Sequence, residues 1–107
     1  MDEKAVSGYV RVADVQDIPR NEMRAFEVSG QKLLVADVEG RLYAVENRCP
    51  HRDYPLFLGS LQGRILTCGF HYNKFDVTTG EALGPVTRVS LKTYEIKTKD
   101  SSIYIKM

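Results

Sequence analysis

Both cysteines and both histidines of this 107-residue chain fall between positions 49 and 71. They stand as Cys49-Pro50-His51 and Cys68-Gly69-Phe70-His71, separated by the sixteen residues 52–67. Each motif puts one sulfur and one nitrogen donor on a short stretch that contains Pro or Gly. Two such loops can converge on one site from opposite sides. Thiolate and neutral imidazole are both good ligands for zinc or iron.

The rest of the chain predicts strands to support such loops. Apolar or alternating runs cover Gly8–Val12, Met23–Val28, Lys32–Val38, Arg41–Val45, Arg64–Thr67, Leu91–Thr98 and Ser102–Lys106. Ser29-Gly30, Glu39-Gly40 and Lys99-Asp100-Ser101 stand between them as hairpin turns. Strands this closely spaced predict an all-β fold, an antiparallel sandwich or small barrel. Leu33, Val35, Tyr43, Tyr94, Ile96 and Ile103 are the predicted core. The one helical signal is a turn near Val15–Ile18, opened by Asp14 as N-cap. Gly59, Gly63, Gly80 and Gly84 mark a stretch where regular alternation fails.

Charge narrows the function classes. The net charge is +1, with 15 basic and 14 acidic side chains. That balance argues against nucleic acid, which needs a concentrated positive field. No apolar run reaches the roughly 20 residues of a membrane helix, and the N-terminal residues lack a signal-peptide core. A cytoplasmic protein is expected, and in a reducing compartment the cysteines are expected as thiols. Arg48, Arg52 and Lys74 make the motif region mildly basic, a field that suits an acidic partner or is simply a solvated face.

The donor set leaves the metal open. A tetrahedral zinc accepts two Cys and two His, but familiar zinc fingers pair like with like along the chain. Here each loop supplies one of each. That order suits a binuclear centre with two thiolates on one iron and two imidazoles on the other. A Cys49–Cys68 disulfide and incidental burial of the four side chains are the remaining readings.

Cys-x-His, sixteen residues and Cys-x-x-His together resemble the Rieske [2Fe–2S] motif. Phe75-Asp76-Val77-Thr78-Thr79-Gly80 resembles the segment after the second loop of that family, and Gly84-Pro85 its proline loop. The resemblance runs from about Tyr9 to Ile105. It implies one domain over residues 1–107, with a two-loop cluster-binding subdomain at about 46–86 set into a β base. It implies one [2Fe–2S] cluster per chain, held by Cys49 and Cys68 on one iron and by His51 and His71 on the other. Pro50, Arg52, Phe70, Asn73, Phe75 and Pro85 would form its surroundings. Tyr54, Leu56, Phe70 and Tyr72 flank the ligands, and one or two of them would form an apolar docking rim.

Departures from the high-potential members are specific. Those proteins join the two loops by a disulfide whose positions here are Tyr54 and Phe70. They also place a serine and a tyrosine, as hydrogen-bond donors to the cluster and a cysteine sulfur, where this chain has Asn73 and Phe75. Fewer bonds to sulfur disfavour reduction, so a potential in the lower part of the roughly −150 to +300 mV Rieske range is expected. Where the family has glycine shortly after each histidine, this chain has Asp53 and Tyr72.

The resemblance implies a carrier and not an enzyme. No further histidine exists for a second iron site, and no dinucleotide fingerprint is present. The implied partners are a flavin-dependent ferredoxin reductase and a terminal oxygenase or other redox acceptor, with no small-molecule substrate, nucleic acid or membrane. The alternatives are a zinc-stabilised binding module and an accessory subunit of a larger reductase.

Overall fold

A computed structural model of the chain describes residues 8–50, 54–70 and 72–107. Its strands are β1 (Tyr9–Asp14), β2 (Met23–Val28), β3 (Gln31–Val38), β4 (Arg41–Glu46), β5 (Ser60–Gln62), β6 (Ile65–Thr67), β7 (Lys74–Asp76), β8 (Ala82–Gly84), β9 (Thr93–Tyr94), β10 (Ile96–Lys99) and β11 (Ser102–Lys106). All pairings are antiparallel, in sheets ordered β1-β11-β10, β2-β3-β4-β9 and β5-β6-β7-β8. Three two-residue turns set the hairpin registers. Ser29-Gly30, Glu39-Gly40 and Asp100-Ser101 all have positive φ at both residues, as the turn that matches strand twist requires. No helix among the described residues is long and apolar enough to cross a membrane.

Strand β3 explains why its sequence is apolar without alternation. Leu33 and Val35 face one core, with Ala13, Ile18, Ala44, Ile103 and Ile105. Leu34 and Ala36 face a second core, with Val45, Leu56, Leu66, Phe75 and both cysteines. A strand covered on both faces has no solvent side to make polar. The first core joins the two sheets of the base; the second joins the base to the β5–β8 sheet.

Several sequence expectations shift. Leu91–Thr98 is two strands, because the chain changes sheets at Glu95: β9 pairs with β4 and β10 with β11. Tyr94 and Ile96 are half-buried against the first core, as the alternation suggested. Tyr43 is only half-buried; small Ala44 and Val45 take the fully buried positions of β4. The turn at Val15–Asp17 is a single 3-10 turn, and the Asp17 carboxylate accepts from the Asp14 amide at 3.0 Å. Asp14 itself turns its carboxylate to Arg11 at 2.8 Å.

The glycine-marked stretch, read as irregular, folds into the third sheet. Its strands have three residues each, too short for a period to appear. After β7 the chain turns on Asp76, whose Oδ1 accepts from the Thr78 amide at 2.9 Å and whose carbonyl accepts from the Gly80 amide at 2.6 Å. Gly80 has φ +83, and a Cβ there would stand 2.7 Å from the Leu91 carbonyl oxygen. Only glycine satisfies both conditions.

Candidate metal centre

The segments that carry the two cysteines close in the same way. The Cys49 amide donates to the Tyr54 carbonyl at 2.9 Å, and the Cys68 amide donates to the Asn73 carbonyl at 2.8 Å. Each cysteine therefore opens a loop that returns five residues later. Both side chains are 1% exposed and belong to the second core. Cys68 forms no disulfide, which removes the Cys49–Cys68 reading. His51, Arg52, Asp53 and His71 lie outside the described residues.

Buried asparagines tie these loops to their surroundings. Asn47 Oδ1 accepts from the Phe57 amide at 2.9 Å, linking the end of β4 to the short turn Leu56–Leu58. Asn73 is fully buried, and its Oδ1 accepts from the amides of Val86 and Thr87 at 2.7 and 2.8 Å. The segment after β8 is thereby fastened to the Cys68 loop. Pro85 follows buried Gly84 across a cis peptide and is itself exposed. Asn47 carries no signal in sequence beyond standing two residues before Cys49; the resemblance places Asn73 in the cluster's surroundings, but nothing in sequence signals the bonds it makes.

The second loop lies against the backbone of the Leu56–Leu58 turn. A Cβ on Gly59 would stand 1.9 Å from the Thr67 carbonyl oxygen, and one on Gly69 would stand 3.0 Å from the Leu58 carbonyl oxygen. The two chain segments cross with no space for a side chain on either glycine. Across the two loops, the rings of Tyr54 and Phe70 stack at 5.3 Å between centroids and 21° between planes.

The described residues suit a thiolate-bound iron centre. The Phe70 amide donates to Cys68 Sγ at 3.5 Å, the kind of bond that stabilises charge on a ligating sulfur. Phe75 is fully buried and carries no hydroxyl. Leu56 is also fully buried, so it packs the loops and does not join a rim. Phe70 at 43%, Tyr72 at 68%, Leu58 at 61% and Val86 at 40% are among the large exposed apolar side chains on these segments. Tyr72 adopts φ +62, a glycine-like conformation at the position where glycine was expected. A groove of about 250 Å³ between Leu58, Gly59, Thr67, Gly69 and Tyr72 reaches Cys68. Arg48 pairs loosely with Glu46 at 3.8 Å, and Lys74 is exposed. A cavity of about 430 Å³ between Asp37, Arg41, Tyr43 and Thr98 involves neither cysteine.

Known proteins agree with this arrangement. The Rieske [2Fe-2S] domain family matches residues 8–95. The ferredoxin component of the naphthalene 1,2-dioxygenase/salicylate 5-hydroxylase systems of Ralstonia sp. is 33% identical over 99 residues, covering 92% of this chain and 95% of its own length. The ferredoxin component of the naphthalene 1,2-dioxygenase system of Pseudomonas putida is 35% identical over 98 residues, covering 91% and 93%. In the solved complex of reduced oxygenase and oxidised ferredoxin of carbazole 1,9a-dioxygenase, one chain superposes with a TM-score of 0.87. It is 27% identical and covers 94% of each chain. The Sphingomonas yanoikuyae B1 ferredoxin also gives 0.87, at 28% identity, covering 92% of this chain and 97% of its own. The chain belongs to the Rieske [2Fe–2S] domain family, and its cofactor is a Rieske [2Fe–2S] cluster.

Proposed function

We propose that this chain is a one-electron carrier that takes electrons from a flavin-dependent ferredoxin reductase and delivers them to a terminal oxygenase. The observation that carries this reading is the family match together with two buried cysteines on loops closed by the same hydrogen bond. In the reading, Cys49 and Cys68 hold one iron and His51 and His71 the other, within a cluster-bearing unit at about 46–86. The bound cluster supplies a reversible one-electron couple. The chain's own residues do the rest. The Phe70 amide stabilises negative charge at the Cys68 sulfur. Leu56, Leu66 and Phe75 keep water from the thiolate side. Pro50, Arg52 and Pro85 stay in the cluster's surroundings in this reading.

Docking falls to the exposed side chains of the same segments. Leu58, Phe70, Tyr72 and Val86 offer apolar contact, and Arg48 and Lys74 a basic border. Apolar contact with a basic border suits brief complexes with an acidic-rimmed partner. Support for an oxygenase partner comes from the carbazole complex and from the dioxygenase-system ferredoxins. A cytoplasmic location goes with this reading, since a reducing compartment keeps both cysteines as thiols for iron.

The test is reconstitution. Loaded protein, NADH, a flavin-dependent reductase and a Rieske-type oxygenase are combined, and product is measured with and without the chain. The reading expects product that depends on the chain and saturates with its concentration. A loaded chain that is reduced yet transfers nothing to any such oxygenase contradicts it and favours the accessory-subunit alternative.

A further inference from the structure

We propose that Asn73 is a positioning residue that sets the cluster's solvent access and reduction potential by pinning Pro85–Thr87 to the Cys68 loop; this rests on the carrier reading above. Asn73 contacts no reacting atom in this proposal. It acts through the segment it holds.

The buried amide of Asn73 is bonded on both its oxygen and its nitrogen. Asn73 is fully buried, and an unpartnered polar group there would be costly. Its Oδ1 accepts from two successive amides, Val86 at 2.7 Å and Thr87 at 2.8 Å. Its Nδ2 donates to the Lys74 carbonyl at 3.4 Å. Its own carbonyl accepts from the Cys68 amide at 2.8 Å. One residue thus closes the loop of a cluster ligand and fastens a second segment to it. Among the described residues, that second segment has little else to hold it. Strand β8 ends at Gly84, residues 85–92 belong to no strand, and Val86 is exposed. Without Asn73 Oδ1, two adjacent amides turn to water and Pro85–Thr87 can lift.

Lifting that segment admits water beside the Cys68 loop. The oxidised Rieske centre, with two thiolates and two neutral imidazoles, is uncharged overall, and the reduced one carries one negative charge. Water solvates the charged form better, so greater access raises the potential. It also opens a path for hydrolysis and chelation of iron.

The experiment compares the loaded wild type with Asn73→Ala, Val86→Pro and Val77→Ala. Asn73→Ala removes the acceptor. Val86→Pro removes one donor while leaving the buried asparagine in place, and it serves if Asn73→Ala does not fold. Val77, 1% exposed in the same core, has no part in these bonds, so Val77→Ala reports general loosening. Midpoint potential and the rate of bleaching by an iron chelator are measured. The expected result is an upward shift in potential for Asn73→Ala and Val86→Pro, with bleaching about tenfold faster. Val77→Ala should lower the melting temperature and leave the potential unchanged. If the two test variants match Val77→Ala in both readouts, the proposal is overturned and the carrier reading stands. A wild-type chain that cannot be loaded with iron and sulfide overturns both.

Discussion

The rings of Tyr54 and Phe70 stack across the two cysteine-bearing loops with 5.3 Å between centroids. These are the positions where high-potential Rieske proteins place their inter-loop disulfide. An aromatic pair therefore occupies the place of a covalent tie. Such a pair contributes about 0.5–1.5 kcal/mol beyond its buried area, which is less than a disulfide and insensitive to reductant. Tyr54→Ala and Phe70→Ala, with the double variant, should show a coupling energy of about 1 kcal/mol in a thermodynamic cycle on the loaded protein. Chelator-driven bleaching should quicken in each single variant and not change with added thiol.

The crossing at Gly59 leaves no room for a methyl group. Gly59→Ala sets a Cβ 1.9 Å from the Thr67 carbonyl oxygen, which cannot rotate away as a side chain would. The β6 end, one residue before Cys68, must move. A loss of about 3 kcal/mol by denaturant unfolding is expected, with poor cluster incorporation. Gly63→Ala, at φ +61 with nothing within 4 Å, should cost about 1–2 kcal/mol and leave the cluster intact.

Tyr72 combines an unfavourable backbone conformation with an exposed ring. Its φ is +62 and its exposure 68%. Tyr72→Gly relieves about 1–2 kcal/mol of local strain and loses about 0.5–1 kcal/mol to the freer unfolded chain. Stability should therefore be unchanged or slightly higher. The KM for the chain in reductase and oxygenase assays should rise, because a docking contact is gone while the potential is kept. A KM equal to the wild type would remove Tyr72 from the docking rim.

Alkaline pH should weaken the base domain through Tyr9. Burial pushes the Tyr9 hydroxyl above its ordinary value of 10.0, and a hydrogen bond with Glu95 and that carboxylate's charge push the same way. The folded chain keeps this proton at a pH where the unfolded chain has lost it. The contribution is therefore complete below about pH 10 and fades as pH rises toward the folded-state value. Urea midpoints measured from pH 8 to 11 should fall less steeply for Tyr9→Phe than for the wild type.

Much of the base and the outline of the site could be read from residue order. Met23–Val28 alternates cleanly because it covers one face, whereas Ser102–Lys106 buries Ile103, Tyr104 and Ile105 in a row, and both strands have the predicted bounds. The turn pairs carried their own signal, since Gly or Asp is favoured where φ is positive. Three things were hidden. The change of sheet at Glu95 has no local signature, because it depends on which strands lie nearby. Strands β5, β7 and β8 are too short for a period. The cysteines, marked by their spacing, are where chemistry is most legible. The asparagine struts and the Tyr54–Phe70 stack are long-range contacts that only the folded loops create.

The most direct test of the central claim is the composition and magnetic resonance of the purified chain. Protein is assayed for iron, sulfide and zinc, reduced with dithionite, and examined by EPR with ¹⁴N ENDOR. The account predicts about two irons and two sulfides per chain, a reduced-state signal, and hyperfine coupling to two imidazole nitrogens. Loss of one coupling in His51→Ala or His71→Ala, where a cluster persists, would assign the ligands individually. One zinc per chain with no iron, or a cluster with no nitrogen coupling, would contradict the account.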